Sequence, residues 1–174
     1  MRTILATLIC VSALVAADAS RPAQRFLLPD VKGHDHDFNE YRGKVVVLEF
    51  MQTACPHCGA FTSVLKEAQQ RYGDRVAIVS LVNPPDTPTT VSNFIAAHQI
   101  NYPILLDAGR VAYAYIRRPA FDIPYLFLID AGGTIRQEFE YGPATQDIFE
   151  GRGLFPRLDS MLGSGSASPP GKKK

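Results

Sequence analysis

Short apolar runs alternate with amphipathic stretches along the middle of the chain. Residues 45–50 and 76–82 are nearly continuous β-branched and apolar runs, which is typical of strands covered on both faces. A helix is predicted between them, because apolar side chains recur there at helical spacing until Gly73: Phe61, Val64, Leu65 and Ala68. A buried strand that leads into an amphipathic helix is typical of an α/β fold.

The alternation continues towards the C-terminus. Further strands are predicted at residues 104–106, 125–129 and 134–141, and the last two form a hairpin. Helices are predicted from a cap at Thr89 or Thr90, over residues 109–116, and as two short pieces within 145–162. A small hairpin is predicted upstream, around Lys32 and Gly33. Together these elements predict an α/β sandwich with a mixed sheet and helices on both faces.

The N-terminal segment has a different pattern. Residues 1–19 have the features of a secretory signal peptide, with a basic start, an apolar core and the A-x-A cleavage pattern Ala17-Asp18-Ala19. A membrane anchor is an alternative, but the apolar run is shorter than the roughly 20 residues of a spanning helix. A lipid anchor on Cys10 is disfavoured by the bulky Ile9 before it. We therefore expect a secreted or periplasmic protein with no stable membrane span after cleavage.

Length and charge indicate one folded domain, residues 20–162. The chain has 174 residues and a formal net charge of +1, which gives no electrostatic reason to expect nucleic acid as a partner. Residues 163–174 are rich in Gly, Ser, Pro and Lys and are expected to be a flexible tail. A monomer is expected.

The chain has three cysteines, too few for a disulfide scaffold. Signal cleavage removes Cys10 and leaves Cys55 and Cys58 at the predicted start of a helix. Free N–H groups and the helix dipole favour the Cys55 thiolate there, and a stabilised thiolate is both a nucleophile and a good leaving group. Pro56 fits the first helical turn, and His57 adds a donor or a positive charge. The pattern predicts a redox-active pair in which Cys58 is the resolving thiol.

A stable disulfide or half of a zinc site would explain the same two cysteines. Structural zinc sites usually have four ligands, and the sequence has no second Cys pair or His partner at a recognised spacing. His34 and His36 are candidates for adventitious metal binding, although their segment is better explained as a polar hairpin turn. We therefore favour redox chemistry and expect no metal site.

Two further features stand out beside the cysteines. Glu49 lies in an otherwise apolar strand, where a buried, unpaired charge costs several kcal/mol. Burial would raise the pKa of Glu49 and let it exchange protons with Cys58, whereas the alternative is a solvated strand end. Pro124 precedes a predicted strand, and a cis bond from Ile123 would be a deliberate feature, although the spacing alone indicates only a strand start.

The sequence resembles the thioredoxin superfamily. The residues that carry the resemblance are Val47-Leu48-Glu49-Phe50, Cys55-Pro56-His57-Cys58 and Ile123-Pro124. The segments 26–33, 41–47 and 128–133 resemble the TlpA-like, redoxin (AhpC/TSA-related) branch. The resemblance extends over roughly residues 26–162 and implies a thioredoxin-like three-layer sandwich with a central mixed β-sheet.

The resemblance also implies roles for individual residues. Cys55 is then the attacking thiol and Cys58 the resolving thiol. Pro124 takes the place of the cis-proline that faces the disulfide in this family. Ile123, Pro124 and Pro56 are expected to contact an extended substrate segment.

Three other positions bear on the resemblance. Glu49 corresponds to the buried acid of the family. The Pro56-His57 dipeptide is the one found in DsbA, which suggests a relatively oxidising couple. Ala54 departs from the family, since a tryptophan commonly precedes the first cysteine and this chain has no tryptophan.

The resemblance implies thiol–disulfide exchange with protein thiols, without an organic cofactor or a metal. The expected partners are proteins that bear thiols or disulfides and a protein that recycles the redox couple. A peroxiredoxin-like thiol peroxidase is the alternative, but Gln52 stands where peroxide reduction usually needs Thr or Ser. A binding module that borrowed the fold is a third possibility, and the intact cysteine pair argues against it.

Overall fold

The structure is a computed structural model that describes residues 20–163. The predicted signal peptide, with Cys10, lies outside the described residues, and so do residues 164–174 of the predicted tail. Strands and helices alternate along the described range.

A six-stranded mixed sheet forms the centre of the fold. The strands of the described range are β1 Arg21–Pro22, β2 Leu27–Pro29, β3 Asp35–Asp37, β4 Val45–Met51, β5 Val76–Val82, β6 Ile104–Leu106, β7 Tyr125–Ile129 and β8 Thr134–Glu140. The sheet has the order β1-β8-β7-β4-β5-β6, while β2 and β3 form a separate hairpin. β4, β5 and β6 are parallel, whereas β7 runs antiparallel to β4 and β8 antiparallel to β7.

Helices cover both faces of the sheet. They are α1 Pro56–Tyr72, α2 Pro88–His98, α3 Arg110–Ile116, α4 Gln146–Phe149 and α5 Leu154–Met161, with 3-10 turns at Phe38–Tyr41 and Gly73–Arg75. α1, α2, α4 and α5 contribute buried side chains to one core cluster. α3 packs on the other face with Phe26 and Phe38. The predicted α/β sandwich with a central mixed sheet is therefore confirmed.

Strand β4 lies between β7 and β5, and all seven of its residues are buried. Val45, Val47 and Met51 face the cluster that contains α1, whereas the intervening apolar residues face the α3 side. Because side chains alternate along a strand, Glu49 belongs to the face beneath α1. Strand β4 is covered by helices on both faces, which explains why its sequence is an almost unbroken apolar run.

Most predicted elements are present, with two differences. The hairpin around Lys32 and Gly33 is formed by β2 and β3, with Gly33 at a φ of +79°. Strand β1 was not predicted, because two residues are too few to show a hydrophobic period.

The second difference is the cap of α2. The helix is capped by Thr87 rather than by Thr89 or Thr90, and Pro88 occupies its first turn. The Thr87 side chain accepts the Thr90 N–H over 3.2 Å, and the Thr90 hydroxyl accepts the Thr87 N–H over 2.9 Å. A proline is tolerated at the first helical position, so the helix starts earlier than predicted.

Thr87→Ala is expected to lower the free energy of unfolding by about 1 kcal/mol, because the Thr90 N–H loses the side-chain oxygen that caps it. Chemical denaturation measures the change. Thr89→Ala is the matched control, since Thr89 is exposed in the same turn and takes no part in the capping box. Its unfolding free energy should stay within about 0.5 kcal/mol of the parent. Equal losses in the two variants would contradict the cap at Thr87.

Candidate active site

The two cysteines lie where β4 ends and α1 begins. Cys55 is the N-cap of α1, and Pro56 is in its first turn. The Cys58 N–H donates a hydrogen bond to Cys55 Sγ over 3.2 Å. This sulfur therefore accepts one of the N–H groups that have no partner within the helix. A negative charge on Cys55 Sγ is stabilised by that N–H and by the helix dipole.

The two sulfurs have different environments. Both cysteines are free thiols, and Cys55 is half-buried whereas Cys58 is fully buried. Burial raises the pKa of the Cys58 thiol, and the charge of Glu49 and the contact with Cys55 raise it further. Cys58 therefore stays protonated near neutral pH unless a base takes its proton, while Cys55 is the more accessible sulfur.

Glu49 is the buried acid beneath this pair. Its side chain is inaccessible to solvent, and the Ser80 hydroxyl donates a hydrogen bond to its Oε2. Burial raises the pKa of Glu49, and the hydrogen bond from Ser80 lowers it by less, so that the pKa is about 7. The carboxyl can accept or return a proton near neutral pH. The alternative of a solvated strand end is wrong, because β4 is covered on both faces.

The loop before β7 runs beside Cys55. The Ile123–Pro124 bond is cis, as is Pro84–Pro85 in the loop after β5. The Cys55 thiol donates to the Ile123 carbonyl oxygen at 3.7 Å. The fold therefore brings Ile123 and Pro124 to the cysteine pair from a distant part of the chain.

His57 is held by an aromatic residue that the sequence analysis missed. The rings of His57 and Tyr141 are stacked, with centroids 4.2 Å apart and planes inclined by 23°. The Tyr141 N–H also donates to the Pro124 carbonyl oxygen over 3.1 Å. Tyr141 thus contacts both the cysteine motif and the proline loop. Its position at the end of a hairpin strand gave no local signal of this contact.

A groove of about 370 Å³ lies beside Cys55. Its lining includes Thr53, Ala54, Gly59, Phe94 and His98. The rings of Phe94 and His98 pack together, with centroids 4.3 Å apart. Ala54, which stands where the family commonly has tryptophan, contributes only a methyl group to this wall. The groove offers space next to the accessible sulfur.

Ser80 is a second residue that the sequence analysis missed, although a signal was present. It is the one polar residue in the apolar run 76–82. Its backbone position pairs with Glu49 in the parallel β4–β5 ladder. Two polar residues in neighbouring buried strands would have indicated a contact, but the register that joins them is set by the sheet.

His34 and His36 lie in or beside the β2–β3 hairpin, each with a ring nitrogen 3.5 Å from Asp30 Oδ2. In residues 20–163, no group of three or more His, Cys, Asp or Glu side chains is arranged to hold a metal ion. No helix in the same range is long and apolar enough to cross a bilayer.

Known proteins with similar sequences include named thiol-disulfide oxidoreductases. The sequence model of the AhpC/TSA family matches residues 19–138. The thiol-disulfide oxidoreductase ResA of Geobacillus kaustophilus is 32% identical over 127 residues, which cover 72% of this chain and 71% of that protein. The protein of the same name from Halalkalibacterium halodurans is 30% identical over 135 residues, which cover 77% of this chain and 75% of that protein.

Solved structures show the same fold. A thiol:disulfide interchange protein of the thioredoxin family from Chlorobium tepidum has a TM-score of 0.62 at 23% identity, over 82% of this chain and 96% of that chain. A secreted Mycobacterium tuberculosis disulfide oxidoreductase homologous to E. coli DsbE has a TM-score of 0.63 at 24% identity, over 78% and 95%. The family match, the relatives and the fold agree: the chain belongs to the AhpC/TSA family within the thioredoxin superfamily and is a thiol–disulfide oxidoreductase.

Proposed function

We propose that this protein acts outside the cytoplasm and exchanges disulfides with protein thiols through Cys55 and Cys58. The arrangement of the two sulfurs carries the proposal. A half-buried sulfur at the start of α1 accepts a hydrogen bond from the backbone of a fully buried second cysteine. Cys55 is the attacking thiol and Cys58 the resolving thiol.

Reduction of a substrate disulfide takes two steps. The Cys55 thiolate attacks one substrate sulfur, the substrate S–S bond breaks, and the other substrate sulfur leaves as a thiolate that takes a proton from solvent. Cys58 then transfers its proton to Glu49 and attacks Cys55 Sγ, which forms the Cys55–Cys58 disulfide and releases the first substrate sulfur. Two electrons pass from the protein to the substrate, and the reverse sequence oxidises a substrate dithiol. Sulfur carries the electrons, so the exchange needs no metal or organic cofactor.

Glu49 is the proton acceptor in the second step. The charge of Glu49 raises the pKa of Cys58, so the two groups compete for a proton inside the protein. Both side chains are fully buried, which leaves the carboxyl as the base available to Cys58 while a substrate covers Cys55. Glu49 must be ionised for this transfer to occur.

The substrate segment lies beside Ile123, Pro124 and Pro56 in this proposal. The carbonyl oxygen of Ile123 is 3.7 Å from Cys55 Sγ, so the loop backbone is next to the reacting atom. Pro56 borders the groove next to the same sulfur. An extended peptide fits such a position, because backbone groups give it orientation without dictating its sequence.

Thiol peroxidase activity is the second candidate, because the chain belongs to the AhpC/TSA family. Peroxide reduction usually needs a hydroxyl three residues before the attacking cysteine, where this chain has Gln52. The hydroxyl of the next residue, Thr53, donates to Asp86. This geometry favours disulfide exchange over peroxide reduction.

Export is supported by the sequence pattern of residues 1–19 and by the secreted Mycobacterium tuberculosis protein among the structural neighbours. The full chain, expressed in a bacterial host with an export pathway, is expected to accumulate outside the cytoplasm with Ser20 at or near its N-terminus. Cell fractionation and N-terminal sequencing test this. Leu8→Arg, which interrupts the apolar core, should retain the precursor in the cytoplasm. Recovery of the uncleaved chain from the membrane fraction would support the membrane-anchor alternative.

Cys58→Ser is expected to accumulate mixed disulfides through Cys55 when it is incubated with oxidised insulin, because the resolving thiol is missing. Non-reducing electrophoresis and mass spectrometry identify the adduct. Cys55→Ser is the matched control and should form none. Adducts with Cys55→Ser alone would reverse the assigned roles. Fast peroxide consumption that depends on Cys55, without insulin reduction, would favour the peroxidase.

Glu49→Gln is expected to slow the resolving step on the order of tenfold near neutral pH, because the amide cannot accept the Cys58 proton. In the parent protein this rate should rise as the pH passes about 7, where Glu49 ionises. Rapid quenching and mass spectrometry follow the decay of the glutathione adduct on Cys55. Glu67→Gln, on the exposed face of α1, is the matched control. An unchanged pH profile in Glu49→Gln would remove Glu49 from the mechanism.

Protein stability provides an independent check on Glu49. Its pKa is raised from 4.5 to about 7 on folding, so the folded protein binds this proton more tightly than the unfolded chain. The contribution of Glu49 to stability is therefore present below pH 4.5 and is lost as the pH rises to about 7. Relative to Glu49→Gln, the parent should lose up to about 3 kcal/mol of unfolding free energy across that range.

A further inference from the structure

A cluster of four buried side chains with polar atoms lies on the α1 side of the sheet and includes the inner cysteine of the pair. Its members are Glu49, Cys58, Ser80 and Tyr102. Glu49 pairs with Ser80 across β4 and β5, and Ser80 pairs with Ile104 across β5 and β6. The Ser80 N–H also donates to the Pro103 carbonyl oxygen over 3.1 Å. This bond holds the segment that carries Tyr102 against Ser80.

Two atoms of this buried polar cluster are unpaired. Among residues 20–163, neither Glu49 Oε1 nor Tyr102 Oη has a hydrogen-bond partner, although both atoms are buried. Buried polar atoms are nearly always paired, because an unmade hydrogen bond is costly. One of these atoms is a carboxyl acceptor and the other carries a phenolic O–H donor, so they are chemically complementary.

Tyr102 is electrostatically coupled to the rest of the cluster. Burial is the main reason that the pKa of Tyr102 is raised, and the charge of Glu49 raises it further. The nearby Ser80 side chain opposes the rise, and Cys58 adds a smaller contribution to it. On its outer side Tyr102 lines a surface cleft of about 320 Å³, together with the charged or titratable residues Asp30, Lys32 and His36. Tyr102 therefore lies between the cluster and solvent.

We propose that Tyr102 is a positioning residue for proton transfer, because its O–H donates a hydrogen bond to Glu49 Oε1 when the carboxyl ionises. The bond forms after a rotation of the Tyr102 side chain or through one bridging water. With Ser80 on Oε2 and Tyr102 on Oε1, each oxygen of the carboxylate has a donor. The inference rests on the proposed role of Glu49 as the base that takes the Cys58 proton.

The hydrogen bond from Tyr102 sets the pH at which this base is available. A donor to a carboxylate stabilises the charged form, so the Tyr102 hydroxyl holds the pKa of Glu49 lower than burial alone would. When the proton moves from Cys58 Sγ to Glu49, the carboxyl becomes neutral and this bond weakens. It strengthens again when Glu49 loses the proton, which returns the base to its reactive form.

Tyr102→Phe keeps the ring and removes the donor. The midpoint of Glu49 titration, read from the infrared band of its protonated carboxyl, is expected to rise by about one pH unit. The band is identified by its loss in Glu49→Gln. Tyr115→Phe is the matched control, because the Tyr115 hydroxyl donates to the Gln24 carbonyl oxygen on the other side of the sheet. An unchanged midpoint in Tyr102→Phe would overturn the inference.

Tyr102→Phe should also slow the resolving step about fivefold near neutral pH. A rise of about one unit in the Glu49 midpoint leaves only a small fraction of the carboxyl ionised at that pH. In the Glu49→Gln background, Tyr102→Phe should have no further effect, because the base on which it acts is absent. An equal slowing in both backgrounds would mean that Tyr102 has only a packing role, and the inference would be wrong.

The two measurements separate this inference from the proposed function. If Glu49→Gln leaves the rate unchanged, Glu49 is not the base and Tyr102 cannot act through it, whatever the infrared midpoint shows. If Glu49→Gln slows the rate but Tyr102→Phe moves neither midpoint nor rate, the inference fails and the proposed function stands. If Tyr102→Phe shifts the infrared midpoint and slows the resolving step while Tyr115→Phe changes neither, the inference and the proposed function are both supported.

Discussion

Electrostatic repulsion between a buried carboxyl, Glu49, and a buried thiol, Cys58, governs the chemistry of the site. Glu49 and Cys58 both lose water on folding, and burial raises the pKa of each group. Two negative charges on these groups in an apolar layer are strongly disfavoured, so the Cys58 thiol and the Glu49 carboxyl resist being ionised together. In the proposed mechanism, Cys58 reacts after an ionised Glu49 takes its proton. Cys55, at the start of α1, is the more accessible of the two sulfurs.

Side chains alternate along β4, and this alternation places Glu49 on the same side of the sheet as the cysteines. A one-residue shift in its register would place Glu49 on the α3 side, away from the cysteines. The adjacent strand β5 places Ser80 beside the carboxyl, and the segment before β6 adds Tyr102. Ser80 therefore holds the acid from the neighbouring strand, Tyr102 lies nearby, and α1 places Cys58 on the same side of the sheet.

Local signals predicted much of this architecture. The apolar runs of β4 and β5 and the helical spacing of α1 depend on side chains within a few residues of one another. The cap of α2 was misplaced because the threonines at 87, 89 and 90 are equally good caps by composition, and only the reciprocal bonds of Thr87 and Thr90 distinguish them. Strand β1 carries too few residues to be detected at all.

The order of elements, the cysteine motif at a helix start and the acid in an apolar strand can all be read directly from the chain. Those features depend on neighbours along the chain. The distant residues that complete the site are brought there by the folded arrangement of strands and loops: Ser80 and Tyr102 near Glu49, and Tyr141 stacked on His57. Their contacts depend on strand register and on how loops pack, and no local pattern encodes which of two buried polar residues meet across a sheet.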